Sequence, residues 1–349
     1  MDRGVMRDTT RDFVKYYNPK LHGELRLDTN TNVLGSNPAA EKYLKENTWD
    51  LNGYPNTYSD GLRGALADLY GLDIDNIIAG NGSDEMLDVV FKTFTNMGDN
   101  SVVPVPSYTL YDYFVKLNGG KALEVDLTED FQLDVDSIVK QDAKIAIMPS
   151  PNNPTGNCFR KKDIEEILSR FNGIVVVDEA YAEYAEDAFV KRVEEFDNLI
   201  VLRTLSKAYA MAALRVGYAV TNKKLSDMMI CVKIPYSLNM VSEGAAIAAV
   251  KDQDFVRRSV EMVREQRPKL DAGLRKLGFE TFPSDSNFIL ARSPIDHKVL
   301  VDGLKDRGIL IRDFGAKRRT ENCVRTTVGT AEHNSLLLEK AEEVISGCR

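Results

Sequence analysis

A single lysine, Lys207, stands at the head of the largely apolar stretch LRTLSKAYAMAALRVGYAV, residues 202–220. A lysine so placed ordinarily lays its stem on the core and keeps its ammonium in water. The other use of an amine beside apolar surface is chemical, because a partly desolvated amine can condense with a carbonyl. Its company decides between the two. The run GIVVV is followed by DEAY, which brings a carboxylate, Asp178, and a phenol, Tyr181. KIAIMPS is followed by PNNPTG with the amide of Asn153, and SVVPV by PSYTLY with the rings of Tyr108 and Tyr111. After IIAG, Gly82 and Ser83 open a helical pattern whose free N–H groups can hold a phosphate. Arg215 lies eight residues beyond Lys207. Taken singly, each has a structural reading: a helix cap for Asp178, a turn for the Asn-Pro pair, core packing for the tyrosines.

As a set they supply what pyridoxal phosphate needs. Its aldehyde needs a lysine, and its ring nitrogen needs an anion that keeps it protonated. At about 3 Å and an effective dielectric near 20, a carboxylate–pyridinium contact is worth on the order of 5 kcal/mol, so Asp178 can hold the ring as an electron sink. Asn153 and Tyr181 can meet the ring oxygen. Ser83, the Asp84 N–H, Thr204, Ser206 and Arg215 can meet the phosphate. The G-x-G-x-x-G and Walker fingerprints of nucleotide sites are absent. Eight residues of ideal helix rise about 12 Å, so Lys207 and Arg215 can share one small ligand only if the chain bends between them.

These residues follow a regular series of elements. SDGLRGALADLYG, from Ser59, begins with cap-type residues, places Leu62, Ala65, Leu66 and Leu69 on one helical face, and stops at Gly71. KKDIEEILSRF carries Ile164, Ile167, Leu168 and Phe171 at core spacing. Apolar runs alternating with such helices predict an α/β fold, a mostly parallel sheet covered on both faces. Ligands bind beyond the carboxyl ends of such strands, where every residue named above falls. Past about Val250 the texture turns to long charged helices and short strands, which predicts a smaller α+β domain. The expected division is an arm over 1–28, a large domain over 29–245 and a small domain over 246–349.

The bounds agree with small-molecule chemistry. A chain of 349 residues can bury a large core. Its 45 basic and 53 acidic side chains leave a net charge of −8, which argues against a nucleic-acid or anionic-membrane surface. The opening residues MDRGVMRDTTRDF lack the apolar core of a signal peptide, and no run is long enough to span a membrane, so a cytoplasmic protein is expected. Four cysteines and three histidines are scattered without metal-ligand spacing, so neither zinc nor a disulfide framework is expected.

The motifs YPNTYSDGLRGALA, GNGSDE, PSYTLY, PSPNNPTG, VVDEAY, TLSKAYAMAALRVG, SNFIL, GILIRD and VRTTVGT, in this order, resemble those of the fold-type I pyridoxal-phosphate aminotransferases, most of all the histidinol-phosphate aminotransferases. The resemblance implies that Lys207 binds the cofactor aldehyde, that Asp178 pairs the ring nitrogen, that Asn153 and Tyr181 meet the ring oxygen and that Tyr108 stacks on the ring. It implies a phosphate held by Ser83, Asp84, Thr204, Ser206 and Arg215, joined by Tyr54 from the partner subunit of a homodimer. Arg325 and Arg312 correspond to a clamp on the substrate's anionic end, with Tyr17 and Asn30 as further substrate contacts. Two positions depart from the pattern: Thr31 stands where an acidic residue is common, and Ala213 where glycine is. Aromatic aminotransferases and threonine-phosphate decarboxylases share the cofactor motifs and stay open as alternatives.

Overall fold

A computed structural model describes residues 5–15 and 25–348, so Tyr17 lies outside the described residues. In chain order the elements are β1 (Leu25–Arg26), α1 (Pro38–Glu46), α2 (Asp60–Tyr70), β2 (Ile77–Gly80), α3 (Ser83–Phe94), β3 (Asn100–Val105), α4 (Leu110–Leu117), β4 (Lys121–Asp126), α5 (Val135–Val139), β5 (Ile145–Pro149), α6 (Lys161–Arg170), β6 (Ile174–Asp178), β7 (Leu199–Thr204) and β8 (Gly217–Thr221). Then follow α7 (Lys223–Val232), α8 (Met240–Lys251), α9 (Gln253–Lys276), β9 (Glu280–Thr281), β10 (Phe288–Arg292), α10 (His297–Lys305), β11 (Ile309–Leu310), β12 (Arg312–Asp313), β13 (Cys323–Thr327) and α11 (Ala331–Ser346).

Seven strands form one sheet in the order β2-β8-β7-β6-β5-β3-β4. The ladder from β4 to β7 is parallel, and β8 runs against both β7 and β2. The reversal follows from the β7–β8 connection, which turns back over residues 205–216 with no crossover helix of the kind a parallel return needs. That connection carries Lys207 and Arg215. Its left-handed residues Ala210 and Arg215 and the short 3-10 turn Ala212–Leu214 supply the bend the spacing demanded.

Alternate side chains of the central strands go to opposite cores, which is why their sequences are apolar throughout. Ala146, Met148, Val175 and Val177 join one core with Leu66 of α2 and Ile164 and Ile167 of α6. Ile145, Ile147, Val176 and Ile200 join the other with Met86 and Phe91 of α3 and Phe114 of α4. Helix α2 begins and ends as its sequence suggests, but Ser59 is left-handed and makes no side-chain cap; Asn56 accepts from the Asp60 N–H instead. Its buried face also takes in Arg63, whose guanidinium donates to the carbonyls of Ile77 and Ile74.

Beyond α9, β12-β13-β10-β9 form a four-stranded antiparallel sheet. The segment after residue 24 is tied to this part of the chain: β1 pairs with β11, and the Thr327 N–H donates to the Leu27 carbonyl at 2.8 Å. Residues 28–30 are thereby fixed over the carboxyl ends of the large sheet's strands. Among the described residues no helix is long and apolar enough to cross a membrane.

Candidate active site

Four neighbouring strands of the large sheet end at one cavity of about 600 Å³. β5 delivers Asn153 through the turn that follows it, β6 delivers Asp178 and then Tyr181, and β7 delivers Thr204, Ser206 and Lys207. Tyr108 enters from the loop after β3, Ser83 and Asp84 from the start of α3, and Arg312 and Arg325 from the small sheet. Thirteen residues named from the sequence, Tyr111 and Arg215 among them, thus line one space, although they come from positions 83 to 325.

Asp178 is buried, and burial pushes its carboxyl up to about 6. Three groups oppose that rise: the Tyr111 hydroxyl donates to one carboxylate oxygen at 2.7 Å, the Ala180 N–H donates to the other at 3.1 Å, and the Lys207 charge acts from farther away. The Tyr111 phenol is itself pushed well above its ordinary value by burial and by the Asp178 charge, so it stays a donor. Lys207 Nζ donates to the Thr29 carbonyl at 3.0 Å and lies 5.5 Å from the centre of the Tyr181 ring. The Tyr181 hydroxyl accepts from Asn30 Nδ2 at 3.0 Å.

At one end of the cavity the chain forms a cradle. Gly82 is left-handed and turns the backbone into α3, presenting the free N–H groups of its first turn. A Cβ on Gly82 would sit 2.9 Å from Arg215 Nη2, and one on Gly217 only 2.1 Å from the Ser83 nitrogen. Close approach of backbone demands Gly217, whereas Gly82 is demanded by its positive φ, since the arginine tip beside it can move. Ser206 accepts from Thr204 Oγ1 at 3.0 Å, and Arg215 pairs with Asp84 at 2.9 Å.

At the other end Arg325 is buried between the rings of Phe288 and Phe314, 5.1 and 5.3 Å from its guanidinium carbon. It donates to the Asn153 side-chain oxygen and, at 2.8 Å, to the Asp28 carbonyl, while its Nε has no partner among the described residues. Burial pushes this guanidinium down to about 10, and the like charge of Arg312 acts in the same direction. Neither arginine has a carboxylate at ion-pair distance among the described residues. An anion with two or three acceptor oxygens would complete the pair.

Two expected contributors stand elsewhere. Tyr54 is 84% exposed, packs its ring on Tyr236 and is outside the cavity of its own chain. Asn30, left-handed and buried, stands behind the wall, where its side chain holds Tyr181 and its carbonyl accepts from Asn287. The sequence reading missed Tyr111 as the partner of Asp178 and Ser107, whose buried Oγ in the cavity wall has no partner. Both sit in the quoted motif PSYTLY, so the signal was present but could not say what each would face.

The profile of the family Aminotransferase class I and II matches residues 22–341. The chain belongs to that family. This aminotransferase is 35% identical to the histidinol-phosphate aminotransferase of Thermoanaerobacter sp. (strain X514), over 99% of this chain and 100% of that one. In structure it resembles the histidinol-phosphate aminotransferase of Clostridium acetobutylicum, with a TM-score of 0.85 at 26% identity over 93% and 99% of the two chains. It also shares the fold of the Sinorhizobium meliloti histidinol-phosphate aminotransferase solved in complex with pyridoxal-5'-phosphate, with a TM-score of 0.86 at 24% identity over 93% and 92%. Pyridoxal phosphate is the cofactor of this aminotransferase family, and the donor set fits it. A buried carboxylate without an ion-pair partner, an orphaned serine hydroxyl and a glycine-walled helix start answer the ring nitrogen, a polar oxygen and the phosphate.

Proposed function

We propose that this aminotransferase takes its amino group from histidinol phosphate and passes it to a 2-oxo acid, 2-oxoglutarate in the cell, as a step of histidine biosynthesis in the cytoplasm. One observation carries the substrate class: among the described residues buried Arg325, beside Arg312, has no anionic partner and an unused Nε. The names of the relatives then select histidinol phosphate among small amines with an anionic end.

When bound, pyridoxal phosphate supplies a sink for the electrons left on the carbon beside the transferred nitrogen. Lys207 would hold the cofactor aldehyde, and its Nζ would carry the proton to and from that substrate carbon. Asp178 keeps the ring nitrogen charged, and Tyr111 keeps Asp178 in place. Asn153 and Tyr181 hold the ring oxygen, and Tyr108 covers the ring face. Ser83, Asp84, Thr204, Ser206 and Arg215 hold the phosphate, with Tyr54 supplied by the partner in a homodimer. Arg325 and Arg312 grip the substrate's phosphate, with Tyr17 at the same substrate end, while Asn30 serves the site from behind the wall by holding the Tyr181 hydroxyl. The division at residues 28/29 and 245/246 goes with this reading, since the substrate clamp then belongs to the smaller domain.

The test is the visible spectrum of the cofactor-loaded protein, titrated with histidinol phosphate and, separately, with glutamate and phenylalanine. Bleaching of the yellow band at far lower histidinol phosphate than phenylalanine is the expected result. Bleaching at lower phenylalanine would overturn the donor assignment.

A further inference from the structure

Behind the cavity lies a charge cluster that amino transfer does not use. Arg203, the residue before Thr204, is buried and reaches two buried carboxylates. Its Nη1 donates to Glu183 at 3.2 Å, and its Nε stands 3.4 Å from Glu179. Its guanidinium carbon lies 5.6 Å from the centre of the Tyr70 ring, and the Tyr70 hydroxyl meets that of Tyr218 at 2.5 Å. Tyr218 is Arg203's register partner on β8. Burial pushes Glu179 up to about 7 and raises Glu183 too, while Arg203 opposes both shifts.

A buried ion group is a poor source of net stability, since desolvation offsets most of its attraction. What it fixes is geometry. Glu179 follows Asp178 directly, Glu183 stands two residues past Tyr181, and Arg203 precedes Thr204. Glu179 also accepts from the Phe189 N–H, closing the loop beyond Tyr181. The guanidinium therefore joins β7, which carries a phosphate ligand, to the segment that carries the ring-nitrogen and ring-oxygen ligands. A lysine could not bridge both carboxylates with a planar fork.

We propose that Arg203 is a positioning residue that, through Glu179 and Glu183, sets Asp178 and Tyr181 in register with Thr204 for the cofactor. The proposal rests on the pyridoxal-phosphate reading. Its first test needs neither cofactor nor substrate: hydrogen exchange of residues 178–184 in the cofactor-free protein. Arg203→Met, Arg203→Lys and Glu183→Gln are compared with Val201→Ala, a core truncation on the same strand. At a temperature where all are folded, Arg203→Met is expected to speed exchange of that segment at least tenfold. It should also weaken pyridoxal phosphate binding at least tenfold and move the pH midpoint of the bound cofactor's absorbance band. Arg203→Lys should restore part of each, and Glu183→Gln should weaken binding about threefold. Val201→Ala should lower the melting temperature while leaving affinity and midpoint unchanged. If Arg203→Met does not fold, Arg203→Lys and Glu183→Gln decide. Wild-type exchange and affinity in the folded Arg203 variants, or equal changes in Val201→Ala, would overturn the proposal. A failure of the histidinol phosphate assignment would leave the exchange result standing.

Discussion

At the Arg215 end of the cavity the charges meet one another within the chain, whereas at the Arg325 end they do not. Arg215 is paired with Asp84, Ser206 with Thr204, Gly217 lets the backbone close in to contact distance, and Gly82 supplies the positive φ of the turn into α3. The ion pair is about half exposed and contributes little to stability; its effect is to hold the guanidinium ready beside the helix start. Arg325 is buried against two rings with an unused Nε and a like charge nearby. A ligand that stays through every turnover is served by a finished cradle. A ligand exchanged twice per cycle is served by a site whose missing partner is the ligand itself, because an unpaired buried polar group favours whatever satisfies it.

The strongest test removes the group both ends serve. Lys207→Ala should lower turnover by more than about 10⁴-fold, since in the proposed function it deletes both the covalent anchor and the proton carrier, and leave circular dichroism unchanged. Steady-state rates with histidinol phosphate check this. Arg325→Ala should then separate the ends: kcat/KM for an anionic donor falls on the order of 10²-fold with cofactor affinity little changed, and Arg325→Lys does not restore it. Gly217→Ala should do the reverse, because its Cβ would meet the Ser83 nitrogen at 2.1 Å. Cofactor affinity should fall by about tenfold, on the order of 1.4 kcal/mol, with selectivity among donors unchanged when kcat/KM is measured at saturating cofactor.

The smallest effect is on stability. The Asp178 carboxyl stands at about 6 in the folded protein against an ordinary 3.8. Its contribution is fully present below 3.8 and is lost as pH rises through 6, on the order of 3 kcal/mol across the window. Without cofactor, the melting temperature of the wild type relative to Asp178→Asn should therefore fall as pH rises from about 4 to about 6 and level off above. Bound cofactor, which gives the carboxylate a cationic partner, should flatten the difference. A pH-independent difference without cofactor would mean that Asp178 does not titrate in this range.

Much of the cradle end was legible in the sequence because it is made of turns and strand ends, which leave local signatures. PNNPTG, DEAY and the bend between Lys207 and Arg215 could each be placed from a few neighbouring residues. The arginine end was legible through resemblance, since nothing near Arg325 in the chain says that it will be buried. The reversed strand β8 and the inward turn of Arg63 were not read, because each depends on what packs against it.

The sequence by itself determined which elements form and which residues stand at their ends, since apolar period, caps and turn residues act within a few positions. Tertiary structure decided what those residues face. Tyr111 meets Asp178 across 67 positions, Arg203 on β7 meets Tyr70 at the end of α2, and Arg325 meets Asn153 from another sheet. Such pairings follow from how strands are ordered and layers pack, and burial then sets the charge state of each group, so no local pattern carries them.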